Sequence, residues 1–106
     1  MLLAALLCSF SVAAQTVIDG DTIKLGGAIY RLWGIDAPES KQACADGWAA
    51  GTAATAYLAD MMRGKRAVCE AKTQDRYGRT VAICRADSRD LGADMVSAGL
   101  AWAFTR

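Results

Sequence analysis

The stretch of residues 30–39 constrains the fold of this chain most, because it reads as an apolar strand that carries charged side chains. Strict alternation along a strand places Arg31 and Asp36 on opposite faces. If the two side chains act together, the pleat must be interrupted, and Gly34 is where a bulge costs least. Pro38 then ends ladder pairing and fixes the chain direction. Taken alone, the stretch is also what an ordinary strand ending in a polar turn looks like.

Composition limits the size and the chemistry of the protein. A length of 106 residues predicts one domain, and a hydrophobic content of 54% argues against disorder. The 12 basic and 11 acidic residues give a net charge of +1, so bulk electrostatics does not carry nucleic-acid binding. The sequence has no histidine, which excludes histidine triads, Cys/His zinc sites and histidine general bases. Carboxylates, arginines, lysines and tyrosines remain as candidate functional groups.

The first residues resemble an export signal. Residues 1–14 carry no charge, and small residues precede Gln15, as they do before a secretory cleavage site. We interpret residues 1–14 as a partial signal peptide and residues 15–106 as the folded domain; the alternative is that part of the stretch is a first strand. It is shorter than the ~20 residues that span a bilayer, so we expect no stable membrane association. Export predicts a secreted or periplasmic protein.

Three cysteines would remain after export. Cys69 and Cys84 lie in two apolar runs that flank a turn-rich segment, so a hairpin would set them opposite each other. A disulfide there would stabilise the fold by ~3 kcal/mol in the chain-entropy model. The alternative is two small thiols that face a core in a reducing compartment. Cys44 has no evident partner, and is either free or available to cross-link two chains.

The remaining pattern predicts short strands and two helices. Residues 16–18 and 22–25 predict a tight hairpin, and residues 48–62 predict an alanine-rich helix that stops at Gly64. Asp90 is placed to cap a shorter helix that ends at Gly99. Strands, an inserted helix, two more strands and a helix favour an α+β fold with a small curved sheet or an OB-like barrel.

Three stretches, taken in order, carry a resemblance to a known family. They are Val17-Ile18-Asp19-Gly20-Asp21-Thr22, Arg31-Leu32-Trp33-Gly34-Ile35-Asp36-Ala37-Pro38-Glu39 and Asp75-Arg76-Tyr77-Gly78-Arg79. They resemble the signature stretches of the staphylococcal nuclease-like (thermonuclease) family, in its secreted or periplasmic bacterial form. The resemblance extends over residues 15–106.

This resemblance implies a fold and an activity. The expected fold is a five-stranded OB-fold barrel with two helices. The expected activity is calcium-dependent hydrolysis of DNA and RNA, with single strands preferred and 3′-phosphates as products. The family normally continues past the position of Arg106 into a final helix, which this sequence does not carry. We expect the barrel face that such a helix covers, or Cys44, to be available for contact with another chain.

The same resemblance assigns a calcium site. Calcium takes several oxygen ligands, and Asp21 and Asp36 are suitable carboxylates, with the backbone carbonyl of Ala37 as a third ligand. Asp19 corresponds to a residue that lies near the metal without binding it. A bound calcium ion orients a phosphodiester and offsets the charge that develops during hydrolysis.

The catalytic and substrate-binding roles follow the same correspondence. Arg31 and Arg79 would bind phosphate oxygens, because a planar guanidinium binds two oxygens at once. Glu39 would activate the attacking water, since no histidine competes for that role. Arg76 and Tyr77 correspond to residues that flank the bound nucleotide.

Each assignment has a structural alternative. Arg31 with a neighbouring carboxylate is equally described as a structural ion pair, and residues 75–79 as a solvated hairpin turn. The three tryptophans offer stacking surfaces for bases, but we expect them mainly in or over the core. A second functional hypothesis is a catalytically silent OB module that binds single-stranded nucleic acid or a protein, and a third is a fragment that folds only with a partner chain. The joint presence of Arg31, Glu39 and Arg79 favours the enzyme, because a binding module does not need all three.

Overall fold

The structure is a computed structural model that describes residues 14–45 and 47–104. The predicted signal peptide falls almost wholly on residues 1–13, outside the described residues. The elements follow one another along the chain in this order: β1 (Gln15–Asp19), β2 (Thr22–Leu25), β3 (Ala28–Leu32), β4 (Ile35–Asp36), α1 (Ala50–Met62), β5 (Ala67–Gln74), β6 (Thr80–Ala86), β7 (Arg89–Asp90), α2 (Leu91–Ser97) and β8 (Trp102–Ala103).

The strands form one mixed sheet and one small ribbon. Strands β1, β2 and β3 are an antiparallel meander, β3 pairs in parallel with β6, and β6 pairs antiparallel with β5 and β7. Strands β4 and β8 pair separately. The α+β class and the two helices are therefore confirmed. The closed five-stranded barrel is not: within the described part of the chain, β1 and β5 are the two ends of the main sheet and no ladder joins them.

A side chain, not a ladder, connects these two sheet edges. Nε2 of Gln15, at the start of β1, donates to the carbonyl of Lys65 at 2.8 Å. Oε1 of the same amide accepts the backbone N–H of Ala67, the first residue of β5, at 2.8 Å. The amide therefore supplies the donor and the acceptor that a neighbouring strand would offer. The sheet curls far enough for its edges to approach, and Gln15 spans the gap.

A turn at Gly34, where we predicted a bulge, interrupts the strand of residues 30–39. Strand β3 ends at Leu32, Gly34 adopts a φ of 79°, and β4 begins at Ile35. A positive φ is nearly free of strain for glycine alone. The turn breaks the alternation completely, so the side chains of Arg31 and Asp36 end on the same side.

The core lies between the concave face of the sheet and the two helices. The largest fully buried side chains come from both layers: Ile23, Leu32, Leu58, Cys84, Leu91 and Met95. At Gly20 a Cβ atom would lie 2.7 Å from Cβ of Ala54 and 3.0 Å from Cβ of Ala37, so the turn after β1 packs directly on α1. The predicted disulfide is confirmed: Cys69 and Cys84 are cross-strand partners and are bonded.

The helix ends differ in how well the sequence predicted them. Helix α1 begins at Ala50, two residues later than predicted, because the carbonyl of Trp48 accepts hydrogen bonds from Cys44 and Ala50 in the preceding loop. Helix α2 has the predicted cap, since Oδ1 of Asp90 accepts the N–H of Ala93 at 3.0 Å. Neither of the helices in the described residues has the length and hydropathy needed to cross a bilayer.

The Gln15 connection predicts a stability effect. In Gln15→Ala the buried N–H of Ala67 loses its acceptor, so we expect the free energy of unfolding to fall by about 1–3 kcal/mol. Urea denaturation measures this. Thr16→Ala is the matched control, because Thr16 is the exposed neighbour on the same strand. Equal stability of Gln15→Ala and the parent protein would show that the amide does not hold the edges together.

Candidate active site

Asp21 is the buried centre of the candidate site. It lies in the tight turn between β1 and β2 and is only 7% exposed. Its Oδ1 accepts the hydroxyl of Thr22 at 2.8 Å, and its Oδ2 accepts the backbone N–H of Ala37 at 2.9 Å. A buried carboxylate is tolerated only when such partners surround it. The two bonds also fix the segment after β4 against the start of β2.

Arg31 joins Asp21 to Asp36. Nη1 of Arg31 lies 2.8 Å from Oδ2 of Asp21, and Nη2 lies 3.2 Å from Oδ1 of Asp36. The structure therefore brings together three of the predicted site residues. The contact of Nη1 is a close charge pair but not a directed hydrogen bond, since this buried nitrogen has no acceptor in line with its N–H groups. Within the described residues, this donor of Arg31 is both unsatisfied and closed off from solvent.

These residues are compatible with a calcium ion. The two carboxylates flank one guanidinium, and both offer only the hard oxygen ligands that calcium prefers. Residues 14–45 and 47–104 contain no group of three or more His, Cys, Asp or Glu side chains that would hold a metal. A calcium site here would therefore depend on Asp21, Asp36 and the Ala37 carbonyl, with water and substrate oxygens completing the coordination.

Asp19, at the end of β1, and Glu39, in the loop after β4, lie beside this cluster. Oδ1 of Asp19 accepts the backbone N–H of Ser40 at 2.6 Å, so Asp19 anchors the loop that carries Glu39. The backbone N–H of Glu39 donates to Oε1 of Gln42 at 2.8 Å. The Glu39 side chain is exposed to solvent, and within the described residues its carboxylate forms no hydrogen bond or ion pair. It is free to contact water.

Arg79 lies in a second cluster, in the turn between β5 and β6. Its Nε donates to Oδ2 of Asp75 at 2.6 Å, and Oδ1 of Asp75 accepts the backbone N–H groups of Tyr77 and Arg79, both at 2.9 Å. The guanidinium groups of Arg76 and Arg79 lie 5.3 and 5.7 Å from the centre of the Tyr77 ring. The three predicted residues of this turn are thus brought together around a ring that is 72% exposed.

Sheet pairing relates the two clusters. Strand β3 pairs with β6 so that Arg31 is the partner of Val81, and Arg79 precedes Val81 by two residues. Arg79 is the last residue of the turn before β6, so this ladder brings the end of the turn close to the backbone of β3. No hydrogen bond or ion pair between described residues links the two clusters directly. Their spatial relation is set by the ladder between the strands.

Comparison with known proteins identifies the family. Residues 29–106 match the family model described as staphylococcal nuclease homologue. The chain belongs to this family. The match includes Arg31, Asp36, Glu39 and Arg79, whereas Asp21 lies before it. The resemblance noted from the sequence is therefore confirmed.

Individual curated proteins are similar along most of the chain. The succinoglycan biosynthesis protein ExoI of Rhizobium meliloti is 36% identical over 110 residues, which cover 92% of this chain and 58% of that protein. The micrococcal nuclease of Shigella flexneri is 35% identical over 101 residues, with coverages of 83% and 55%. An uncharacterized endonuclease of Haemophilus influenzae is 34% identical over 93 residues, with coverages of 83% and 49%. The chain spans about half the length of the curated relatives it matches.

Two contributors to this family member's site were not among the predicted site residues. Asp75 was quoted in the third signature stretch without a role of its own, with a solvated turn as the alternative, and it binds Arg79 directly. An aspartate three residues before a glycine is a turn signal, and it could have indicated this role. Gln42 has no comparable sequence signal. The expectation that the tryptophans pack mainly in or over the core is wrong for Trp48 and Trp102, which are 50% and 65% exposed.

The Asp75 contacts predict a low pKa for its carboxyl group. Partial desolvation acts to raise the pKa of Asp75, but the hydrogen bonds from Arg79 and Tyr77 and the charge of Arg79 outweigh it and bring the pKa below its usual 3.8. Since the folded-state pKa is the lower one, ionised Asp75 stabilises the fold above pH 3.8, and this contribution is lost as the pH falls through the folded-state value.

Carboxyl NMR titration measures the Asp75 midpoint. We expect it below 3.8 in the parent protein. We expect Arg79→Gln to move it upward, because two of the interactions that lower it are lost. Arg76→Gln is the matched control, since Arg76 contacts the Tyr77 ring and not Asp75. A parent midpoint at or above 3.8 contradicts the ion pair.

Proposed function

We propose that this chain is a calcium-dependent phosphodiesterase that hydrolyses DNA and RNA to 3′-phosphate products and prefers single strands. The observation that carries the proposal is the guanidinium of Arg31 held between Asp21 and Asp36, in a chain of the staphylococcal nuclease family. This arrangement puts a phosphate-binding cation and two metal-binding carboxylates at one point. The relatives named as nucleases support the activity.

The metal site would use Asp21, Asp36 and the carbonyl of Ala37. Calcium, when bound, supplies positive charge beside the phosphodiester and orients its oxygens. Asp21 is fixed by Thr22 and by the Ala37 amide, so it offers a preorganised ligand. Asp36 is exposed, so it can adjust to the ion and to the substrate.

The two arginines would hold the scissile phosphate. Arg31 would contact the phosphate through its Nη2 side, where the partner Asp36 is exposed, because Nη1 is buried. Arg79 is bound to Asp75 through Nε alone, and this leaves its two terminal nitrogens for a pair of phosphate oxygens. Arginine suits this role because charge-assisted, bidentate hydrogen bonds strengthen as the phosphorus centre gains negative charge.

Glu39 would act as the general base. Its exposed carboxylate takes a proton from a water molecule, the water oxygen attacks phosphorus, and the bond to the 5′ oxygen breaks. The phosphate then stays on the 3′ oxygen, and the 5′ oxygen leaves with a proton from solvent. The exposed ring of Tyr77 and the charge of Arg76 suit contact with the neighbouring nucleotide.

We also propose a secreted or periplasmic location. The disulfide between Cys69 and Cys84 supports it, because such bonds persist in oxidising compartments. Cys44 is free and exposed, as a thiol available for contact between chains would be.

A second candidate function is a silent module that binds single-stranded nucleic acid. Two observations favour it: Arg79 and Glu39 stand outside the Asp21 cluster, and Trp48 and Trp102 line an apolar cavity of about 160 Å³ next to Pro38. Exposed aromatic rings are the usual stacking surface for unpaired bases. This module would bind single strands without cutting them.

Cleavage of single-stranded DNA with and without calcium distinguishes the two functions. We expect cutting that stops when a chelator removes calcium, and a fall in kcat of about 10²–10⁴-fold in Glu39→Gln. Glu70→Gln is the matched control, because it makes the same chemical change on an exposed strand position and should leave kcat unchanged. A folded protein that binds the DNA and never cuts it would be the silent module.

Calcium binding tests the metal site without any substrate. We expect Asp36→Asn to weaken calcium affinity by about tenfold or more, because one charged ligand is lost. Isothermal titration calorimetry gives the affinity. Asp60→Asn, an exposed position on α1, is the control and should bind like the parent. Equal affinity in the Asp36 variant and the parent would remove Asp36 from the site.

A further inference from the structure

The first turn of α1 is capped by the loop that carries Glu39. The residue before the helix, Ala49, provides no side-chain cap. Instead, the backbone N–H of Gly51 donates to the carbonyl of Gln42 at 2.9 Å, and the hydroxyl of Thr52 contacts the carbonyl of Ser40 at 3.4 Å. The helix start and the loop therefore satisfy each other's polar groups.

Gly51 makes the closest contact of this interface. A Cβ atom at this position would lie 1.6 Å from the carbonyl oxygen of Glu39 and 2.8 Å from the carbonyl carbon of Ser40. Glycine at position 51 therefore allows the helix to pack closely against the backbone of the loop. With any side chain at position 51, the gap to Glu39 must open to 3.0 Å or more, which moves the loop or the helix by over an ångström.

Gln42 holds both backbone polar groups of Glu39. Its side-chain Oε1 accepts the Glu39 N–H at 2.8 Å, and its own N–H donates to the Glu39 carbonyl at 2.8 Å. Asp19 holds the next amide, that of Ser40. The backbone of Glu39 is fixed on one side by the hairpin after β1 and on the other by α1, whereas its carboxylate stays in solvent.

We propose that Gly51 and Gln42 are positioning residues for Glu39: the start of α1, which the loop caps in place of a side chain, holds the general base in position. The role of Glu39 itself rests on the proposed function. A base must lie within hydrogen-bond reach of the water that it activates, and a displacement of about 1 Å can cost 10²-fold in rate. The contacts of Gly51 and Gln42 with the Glu39 backbone would prevent a displacement of that size.

Gly51→Ala separates positioning from helix formation. Alanine favours helix over glycine, so a role confined to the helix predicts a higher Tm and unchanged kcat. Positioning predicts a fall in kcat of about 10–100-fold, with the substrate KM and calcium affinity unchanged. Gly27→Ala is the matched control, because a Cβ there meets nothing within 4 Å. Unchanged kcat in Gly51→Ala would overturn the proposal.

A second pair of variants avoids the steric clash. Gln42→Ala removes the acceptor for the Glu39 amide, and we expect kcat to fall with KM unchanged. Gln42→Glu keeps an oxygen acceptor, and we expect it to restore most of the activity. If both variants cut at the parent rate, Gln42 does not position Glu39. In a Glu39→Gln background, Gly51→Ala should cause no further loss, since the group it positions is gone.

Amide hydrogen exchange tests the contact independently of cleavage. We expect the Glu39 and Gly51 amides to be protected in the parent and the Glu39 amide to exchange faster in Gly51→Ala. Exchange that is fast in the parent, or the same in the variant, overturns the positioning role even if the protein cuts DNA. If the parent protein fails to cut DNA but shows this protection pattern, the proposed function is refuted. The contact between the start of α1 and the Glu39 loop is then still supported.

Discussion

The buried carboxylate of Asp21 is the group on which the rest of the structure depends. An isolated charge at 7% exposure is strongly unfavourable, so the fold must deliver partners to it. They arrive from three segments: the hydroxyl of Thr22 in β2, the guanidinium of Arg31 in β3 and the amide of Ala37 after β4. Removing one partner of a buried ion pair typically costs about 3–5 kcal/mol. The same contacts that satisfy Asp21 also bring the candidate site together.

Charge in this cluster explains why a metal ion would help an anionic substrate. Two carboxylates and one guanidinium give a formal net charge of −1, which repels a phosphodiester. A calcium ion would change that charge to +1, opposite in sign to the phosphodiester. Arg31 alone cannot both neutralise the two acids and bind phosphate at full strength. Metal binding would therefore release guanidinium charge for the substrate, and the two cations would act on the phosphate together.

Local signals predicted the parts of this structure that depend on a few adjacent residues. Spacing and turn chemistry predicted the cap at Asp90, the hairpin that pairs Cys69 with Cys84, and helix α1. The Gln15 connection and the contact of Gly51 with Glu39 do not, because they join segments 50 and 12 residues apart through tertiary approach. Gly34 lies between these cases: the sequence predicted an interruption there, but the choice between a bulge and a turn depends on how β4 pairs with β8.

Because the candidate site is divided between two hairpins, the fold must hold these hairpins in a fixed relative position. Arg31 stands on β3, whereas Arg79 stands in the turn between β5 and β6, which the disulfide of Cys69 and Cys84 ties together. Among the described residues, the parallel pairing of β3 with β6 relates the two arginines, through a short ladder that includes the partners Arg31 and Val81. Within the described residues, the side-chain amide of Gln15 and not a ladder joins the sheet edges, so resistance to a change in sheet curvature comes from this pairing and from the helices packed on the sheet. Curvature of the sheet would then alter the separation of the two guanidinium groups, and with it the fit of a phosphate between them.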